Sequence, residues 1–564
     1  MKMPSFNGES IFFSSTLIFS ILFLCPIIAL FIISANNSDG IWEHLLETVL
    51  FKYIYNTVFL MVGVIFLSLF ISIIPAWLIS NYDFKFAKFF DWILVLPIAC
   101  PAYLVAYAYT DFLEYAGPIQ KFVRFFFDYN SADEYFFPEI RSLWGAIFVM
   151  SFVLYPYIYV LARTAFRKAP LSLYETSRLY NKSTFFSVGL PLARPAIFAG
   201  LALVCMEVVS DFGTVEFFSL ETLTLGIFNV WIGMNSITSA AQLSIITFIF
   251  VISLLLIEIK SRAASKFHDT SKRKTYISLR KLNSQKSILC ILICLFPPFV
   301  GFIIPVLILI SNSLYAFDYE PINVFINPFL NSILVSFLSA AFVVLFSFLI
   351  VSYSNETKSK FVKTLAGISS TGYAFPGTML AIGVVIFIGF LDNLINSIDK
   401  FIFIIPNNLY FGGTFSVLLF AYIVRFQAIG FGSLSSGFQK IPQNLFSASR
   451  CLGKTFLGTT IKVTFPLLFP FLIAGGLLVF VDVMKELSAT LMLQPFNVST
   501  LATRAFAYAS EEMLKQAAPW CVAIVLTGLL PVILLNRKLR SSAVPQETSH
   551  RLMPVSKETH LQPA

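Results

Sequence analysis

The chain has 564 residues, 57% of them apolar and 12% charged, against about 45–50% and about 25% in soluble globular proteins. That composition excludes a soluble globular protein and points to an all-α polytopic membrane protein. The net charge of +9 is concentrated between Lys260 and Lys286, a run better explained as a cytoplasmic loop between two spans than as a nucleic-acid surface.

The first apolar run, near 11–34, is too long for the 7–15-residue core of a signal peptide and is taken as a span. Further spans are predicted near 53–80, 91–113, 143–164, 194–216 and 241–260. A second set follows near 287–312, 331–353, 365–391, 413–434, 466–493 and 518–536, about 12 in all. Arg163, Arg167, Lys168, Arg178, the central basic loop, Arg537, Lys538 and Arg540 then share one side with both termini, and the acid-rich loop 111–139 lies on the other. The chain divides into a first half at 1–260, a basic linker at 261–286, a second half at 287–536 and a polar tail at 537–564.

The seven cysteines form no CxxC pair and are expected to be reduced. His44, His268, His550 and His560 all fall outside the apolar runs, which argues against a histidine-based metal or haem site in the membrane. No nucleophile–base constellation suggests catalysis.

The halves repeat each other at an offset of 275 residues: Asn56 matches Asn331, Pro101 matches Pro376, Pro191 matches Pro466 and Gly200 matches Gly475. At the same offset Glu207 matches Asp482 and Asp211 matches Glu486. An acid within a span is expensive unless it has a partner or faces a wet cavity, so these four carboxylates are candidates for lining a cation path. The alternative is structural: pairing with Lys485, or capping of broken backbone. Tyr103, Tyr107, Tyr109, Tyr155, Tyr157 and Tyr159 offer further oxygens, although an interfacial aromatic belt or packing is the more ordinary reading.

Two polar segments also pair, now at 272: "KAPLSLYETSRLYNKSTFFSVGLPLARPAI" from Lys168 and "KIPQNLFSASRCLGKTFLGTTIKVTFPLLFPFL" from Lys440. Each reads as a short helix, a turn, a second short helix and a proline opening a span. The first copy is three residues shorter between Arg178 and Pro191. "CLGKTF" is not a phosphate-binding loop, because Ala448 occupies the position of the earlier glycine and no strand precedes it.

These segments, 168–191 and 440–466, resemble the EAA loops of ABC importer permeases. Glu175, Arg178 and Asn181 in the first copy, and Ala448, Arg450 and Gly453 in the second, fall on or beside the motif. Ser447 replaces the acid, and Asn181 replaces the glycine as a residue that tolerates the left-handed conformation. Stretches such as "MEVVSDFGT" and "VDVMKELSATL" narrow the resemblance to the fused iron(III) permeases that work with a periplasmic ferric-binding protein. The resemblance implies two tandem type I (MetI-like) importer halves in a bacterial inner membrane, with both loops docking on a dimer of a separate ATPase. ATP would be bound by that partner, with no cofactor in this chain. Thiamine and polyamine permeases share the coupling loop and remain alternatives, as does a 12-helix secondary transporter, which would have nested inverted repeats and no ATPase dock.

Overall fold

The computed structural model describes residues 8–38, 40–263, 280–316, 322–357, 359–402, 409–442 and 444–541. The predicted linker residues 264–279, among them Lys266, Lys272, Arg273 and Lys274, and the tail beyond 541 lie outside the described residues. The regular secondary structure of the described residues is helical apart from one two-residue parallel pairing of Tyr82–Asp83 with Arg280–Lys281.

Among the described residues ten helices are long and apolar enough to cross a membrane, or up to eleven if a bent pair counts as one span. The bent pair is the predicted third span. It breaks at Cys100 and Pro101, and the segments Ala87–Ala99 and Ala102–Phe127 meet at 91°. Proline fixes φ and removes a donor, so Pro101 opens the second helix as its N-cap instead of continuing the first. The predicted ninth span is likewise divided, into Lys360–Ser369 and Gly377–Ile402. The apolar part of the last helix, Leu514–Leu529, falls short of a full span within the described residues.

The sequence repeat recurs as geometry. Asn56 Nδ2 donates to the Glu221 carbonyl at 2.9 Å, and Asn331 Nδ2 donates to that of Ser499 at 3.2 Å. One residue on, Thr57 Oγ1 accepts from Leu223 N at 3.0 Å and Ser332 Oγ from Leu501 N at 2.7 Å. Each pair secures the N-terminus of a short helix, where backbone donors have no intrahelical partner.

The first helix of each copy crosses over to pack on the other copy. Phe19 in the helix Gly8–Ser34 meets Phe346 at 4.3 Å, and Ser20 meets Ser369 at 3.3 Å. In the reciprocal exchange Asn312 Nδ2 donates to Asp111 Oδ2 at 2.8 Å, and Tyr109 OH donates to the Val300 carbonyl at 2.6 Å. Gly301 makes the closest backbone approach there, since a Cβ would stand 2.0 Å from the Phe152 carbonyl oxygen. Gly301→Val therefore has to part the two elements, at an expected cost of about 1–3 kcal/mol. Thermal unfolding in detergent reads this as a lowered Tm, and an unchanged Tm would contradict the close contact.

Candidate functional site

The helix Leu190–Ser210 ends inside the bundle, where Asp211 turns to extended backbone and the short helix Gly213–Phe217 begins. In the second copy Phe465–Met484 ends at a turn on Lys485, and Ser488–Leu493 follows. Both breaks are surrounded by buried residues, including Phe212, Thr214, Leu487 and Ser488. Buried backbone donors at a new helix start need acceptors. Asp211 Oδ1 accepts from Thr214 N at 2.9 Å and from Val215 N at 3.3 Å, while its Oδ2 accepts from Thr214 Oγ1 at 3.0 Å. Glu486 Oε1 does the same for Ala489 N at 3.0 Å and Ser488 Oγ at 2.8 Å.

All four sequence-singled acids, Glu207, Asp211, Asp482 and Glu486, line one cavity between the two copies. Lys485 and Arg425 line it too. Lys485 Nζ pairs with Asp482 Oδ1 at 2.8 Å, and Arg425 Nη2 with Glu486 Oε2 at 3.3 Å. The second pair is deeply buried, at 9% and 8% side-chain exposure. Gly377 makes room for it, because a Cβ there would sit 2.1 Å from Arg425 Nη1. The first copy has Ala102 at that position and carries no arginine opposite.

The structural alternative thus describes three of the four acids, two as caps and one as the partner of Lys485. Glu207 differs: its Oε1 accepts from the hydroxyls of Tyr373 and, at 3.4 Å, Tyr157. Of the six tyrosines noted in the sequence, Tyr103 and Tyr157 reach the cavity, whereas Tyr107, Tyr155 and Tyr159 are packed in the core. Arg425 and Tyr373 were not singled out from the sequence. An arginine within a predicted span was the available signal for the first; nothing local marked the second.

The two polar turns share one construction. Tyr174 is buried against Trp77 and Phe446 stacks on Phe438 at 5.0 Å, anchoring the helices Leu171–Leu179 and Asn444–Cys451. Ser177 Oγ meets Ser187 Oγ at 2.7 Å, and Ser449 Oγ meets Thr459 Oγ1 at 3.0 Å. Asn181 and Gly453 both adopt left-handed backbone, with φ of 51° and 79°. The three extra residues of the second copy are taken up by about one added turn, Phe456–Thr459, before a π-helical segment that both copies contain. Glu175, Arg178 and Ala448 are exposed. Arg450 is also exposed, yet it is held by Glu356 Oε2 at 3.2 Å.

No family model matches the chain. An Fe(3+)-transport system permease protein of Haemophilus influenzae is 24% identical over 491 residues, covering 86% of this chain and 89% of that protein. A molybdenum transport system permease protein of the same organism is 24% identical over 210 residues, covering 35% of this chain and 88% of its own length. A probable sulfate transport system permease protein of Prototheca wickerhamii is 23% identical over 206 residues, covering 35% and 77%. The shorter relatives match about one third of this chain, in keeping with its repeat.

Removing one member of a buried ion pair leaves the other uncompensated. Arg425→Met is expected to lower stability by about 3–5 kcal/mol, and Arg425→Met with Glu486→Gln, which keeps the capping oxygen, to recover most of it. Unfolding of the purified variants measures both. Wild-type stability in the single variant would contradict the pair.

Proposed function

We propose that this chain, a tandem permease subunit of the ABC-importer type and not an enzyme, carries ferric iron across a bacterial inner membrane with both termini cytoplasmic. A periplasmic ferric-binding protein delivers the ion, and a separate ATPase dimer supplies the energy. The two halves, 1–260 and 287–536, form the path between them.

The observation that carries this reading is the single cavity lined by four carboxylates and two cations, both cations already engaged by an acid. Ferric iron is a hard cation suited to oxygen ligands, and an acid-rich, oxygen-lined cavity favours it over an anion. The long match to a relative named for Fe(3+) transport agrees. An oxyanion is the second reading, favoured by Arg425 and Lys485 in the same cavity and by the sulfate and molybdenum relatives. It requires those cations to leave their carboxylates.

Drive enters at the two turns. Leu179 and Tyr180 stand 84% and 74% exposed, and Leu452 82%, each one or two residues before a left-handed residue. Large apolar tips on a rigid, anchored turn are suited to a groove on a protein partner. Glu175 and Arg178 add charge beside them, while Arg450 acts within the chain by tying its turn to the helix Ile322–Glu356.

Vesicles reconstituted with this chain, its ATPase and its binding protein test the proposal against labelled iron, sulfate, molybdate, thiamine and putrescine. ATP-dependent uptake of iron alone is expected, persisting when the proton gradient is collapsed. Tyr180→Asp with Leu452→Asp should reduce it by at least about tenfold, as loss of a hot spot at a partner interface does. ATP-driven uptake of another substrate without iron would contradict the reading.

A further inference from the structure

Three of the cavity's acids are committed: Asp211 and Glu486 to backbone donors, and Asp482 to Lys485. Glu207 has hydroxyl donors only, both on Oε1, and its Oε2 has no hydrogen-bond partner among the described residues. The two phenols come from different copies, Tyr157 from the helix Leu143–Lys168 and Tyr373 from the turn Gly372–Ala374. Three oxygens of hard-donor type therefore converge on one wall of the cavity.

The arrangement is one-sided. At the 275 offset Tyr373 corresponds to Ile98 and Lys485 to Ser210. The helices Leu143–Lys168 and Phe415–Phe438 register at 272, as their N-caps Ser142 and Thr414 do, so Tyr157 corresponds to Ile429 and Arg425 to Val153. Phenols thus surround the first copy's acid, and cations surround those of the second. Ser210, the counterpart of Lys485, lines the same cavity, and its Oγ has no hydrogen-bond partner among the described residues. No three His, Cys, Asp or Glu side chains among the described residues gather to hold a metal ion, so an oxygen site here has to include the tyrosines.

We infer that Glu207, Tyr157 and Tyr373 form a transient ferric site, the point where the cargo exchanges its earlier ligands for those of the permease; this rests on the iron reading above. When iron binds, two iron–phenolate bonds form and the two phenol protons pass to cavity water, while the Glu207 carboxylate supplies the third oxygen. No electron moves. Three anionic oxygens then balance the 3+ ion, and a cluster without net charge is the form that costs least to hold away from bulk water. Lys485 and Arg425 keep Asp482 and Glu486 from competing for the ion.

Titration of the purified full chain in lipid nanodiscs with ferric nitrilotriacetate tests the site. The wild type should develop a visible tyrosinate-to-iron charge-transfer band, which Tyr157→Phe with Tyr373→Phe abolishes. Glu207→Gln should weaken ferric binding by about 10- to 100-fold. Tyr109→Phe, whose hydroxyl contacts the Val300 carbonyl away from the cavity, should keep the band, and size-exclusion profiles verify that every variant is folded. A folded wild type without the band, or a band unchanged in the double phenylalanine variant, overturns the site. Wild-type rates of iron uptake in vesicles carrying that double variant overturn the ligand assignment alone. Wild-type vesicles that import no iron overturn the reading beneath it as well.

Discussion

Two chain breaks buried in the helix bundle, after Ser210 and after Met484, govern the arrangement of everything around them. A backbone N–H away from water must find an acceptor, and in the bilayer interior water cannot supply one. Asp211 and Glu486 meet that demand with side-chain oxygens that reach the next helix start. The same requirement brings acids into an apolar bundle at matching places in each copy, and packing the two copies together turns them to one cavity. Capping and cargo handling are therefore not rival accounts of this cavity. The caps build the wall that the uncommitted carboxylate of Glu207 shares.

The copies have kept a common backbone plan and divided the chemistry. Reciprocal exchange of their first helices holds them together through polar and aromatic contacts on both sides, at Ser20 with Ser369 and at Asn312 with Asp111. Within that frame the second copy carries the cations Arg425 and Lys485, while the first presents Glu207 with phenolic hydroxyls. A buried ion pair contributes little net stability but is costly to break singly, so Arg425 and Glu486 act chiefly to lock the geometry of the second break. Gly377 shows the accompanying packing change, since any Cβ there would collide with the guanidinium.

Features set by local chemistry were legible in the sequence. The repeat offset alone brought out the four acids, and the glycine position of the polar turn pointed to left-handed backbone at Asn181, which the structure has. Features set by contacts far apart in the chain were not legible. Pro101 was visible, but not the 91° bend, because a proline either kinks a helix or ends it according to what packs around it. Arg425 lies within a predicted span, but the repeat carries no signal for it because the first copy has Val153 at the corresponding position. Tyr373 reaches Glu207 across 166 residues of chain, and no periodicity carries that information. The three-residue difference between the turns was legible, but not that it is absorbed as an added turn that leaves both anchors in place.

The central claim is that charge at this cavity, and not merely its shape, moves the cargo. The most direct measurement is ATP-driven ferric uptake by vesicles carrying Glu207→Gln with Asp482→Asn, beside vesicles carrying Asp211→Asn with Glu486→Gln, each with its melting temperature and basal ATPase rate. The account predicts that the first pair, which strands only the less deeply buried Lys485, stays folded at a lowered melting temperature, retains basal ATPase activity and loses uptake, while the second loses more stability along with uptake because Glu486→Gln strands the more deeply buried Arg425. Wild-type uptake by well-folded protein in which Glu207 and Asp482 are both neutral would contradict it.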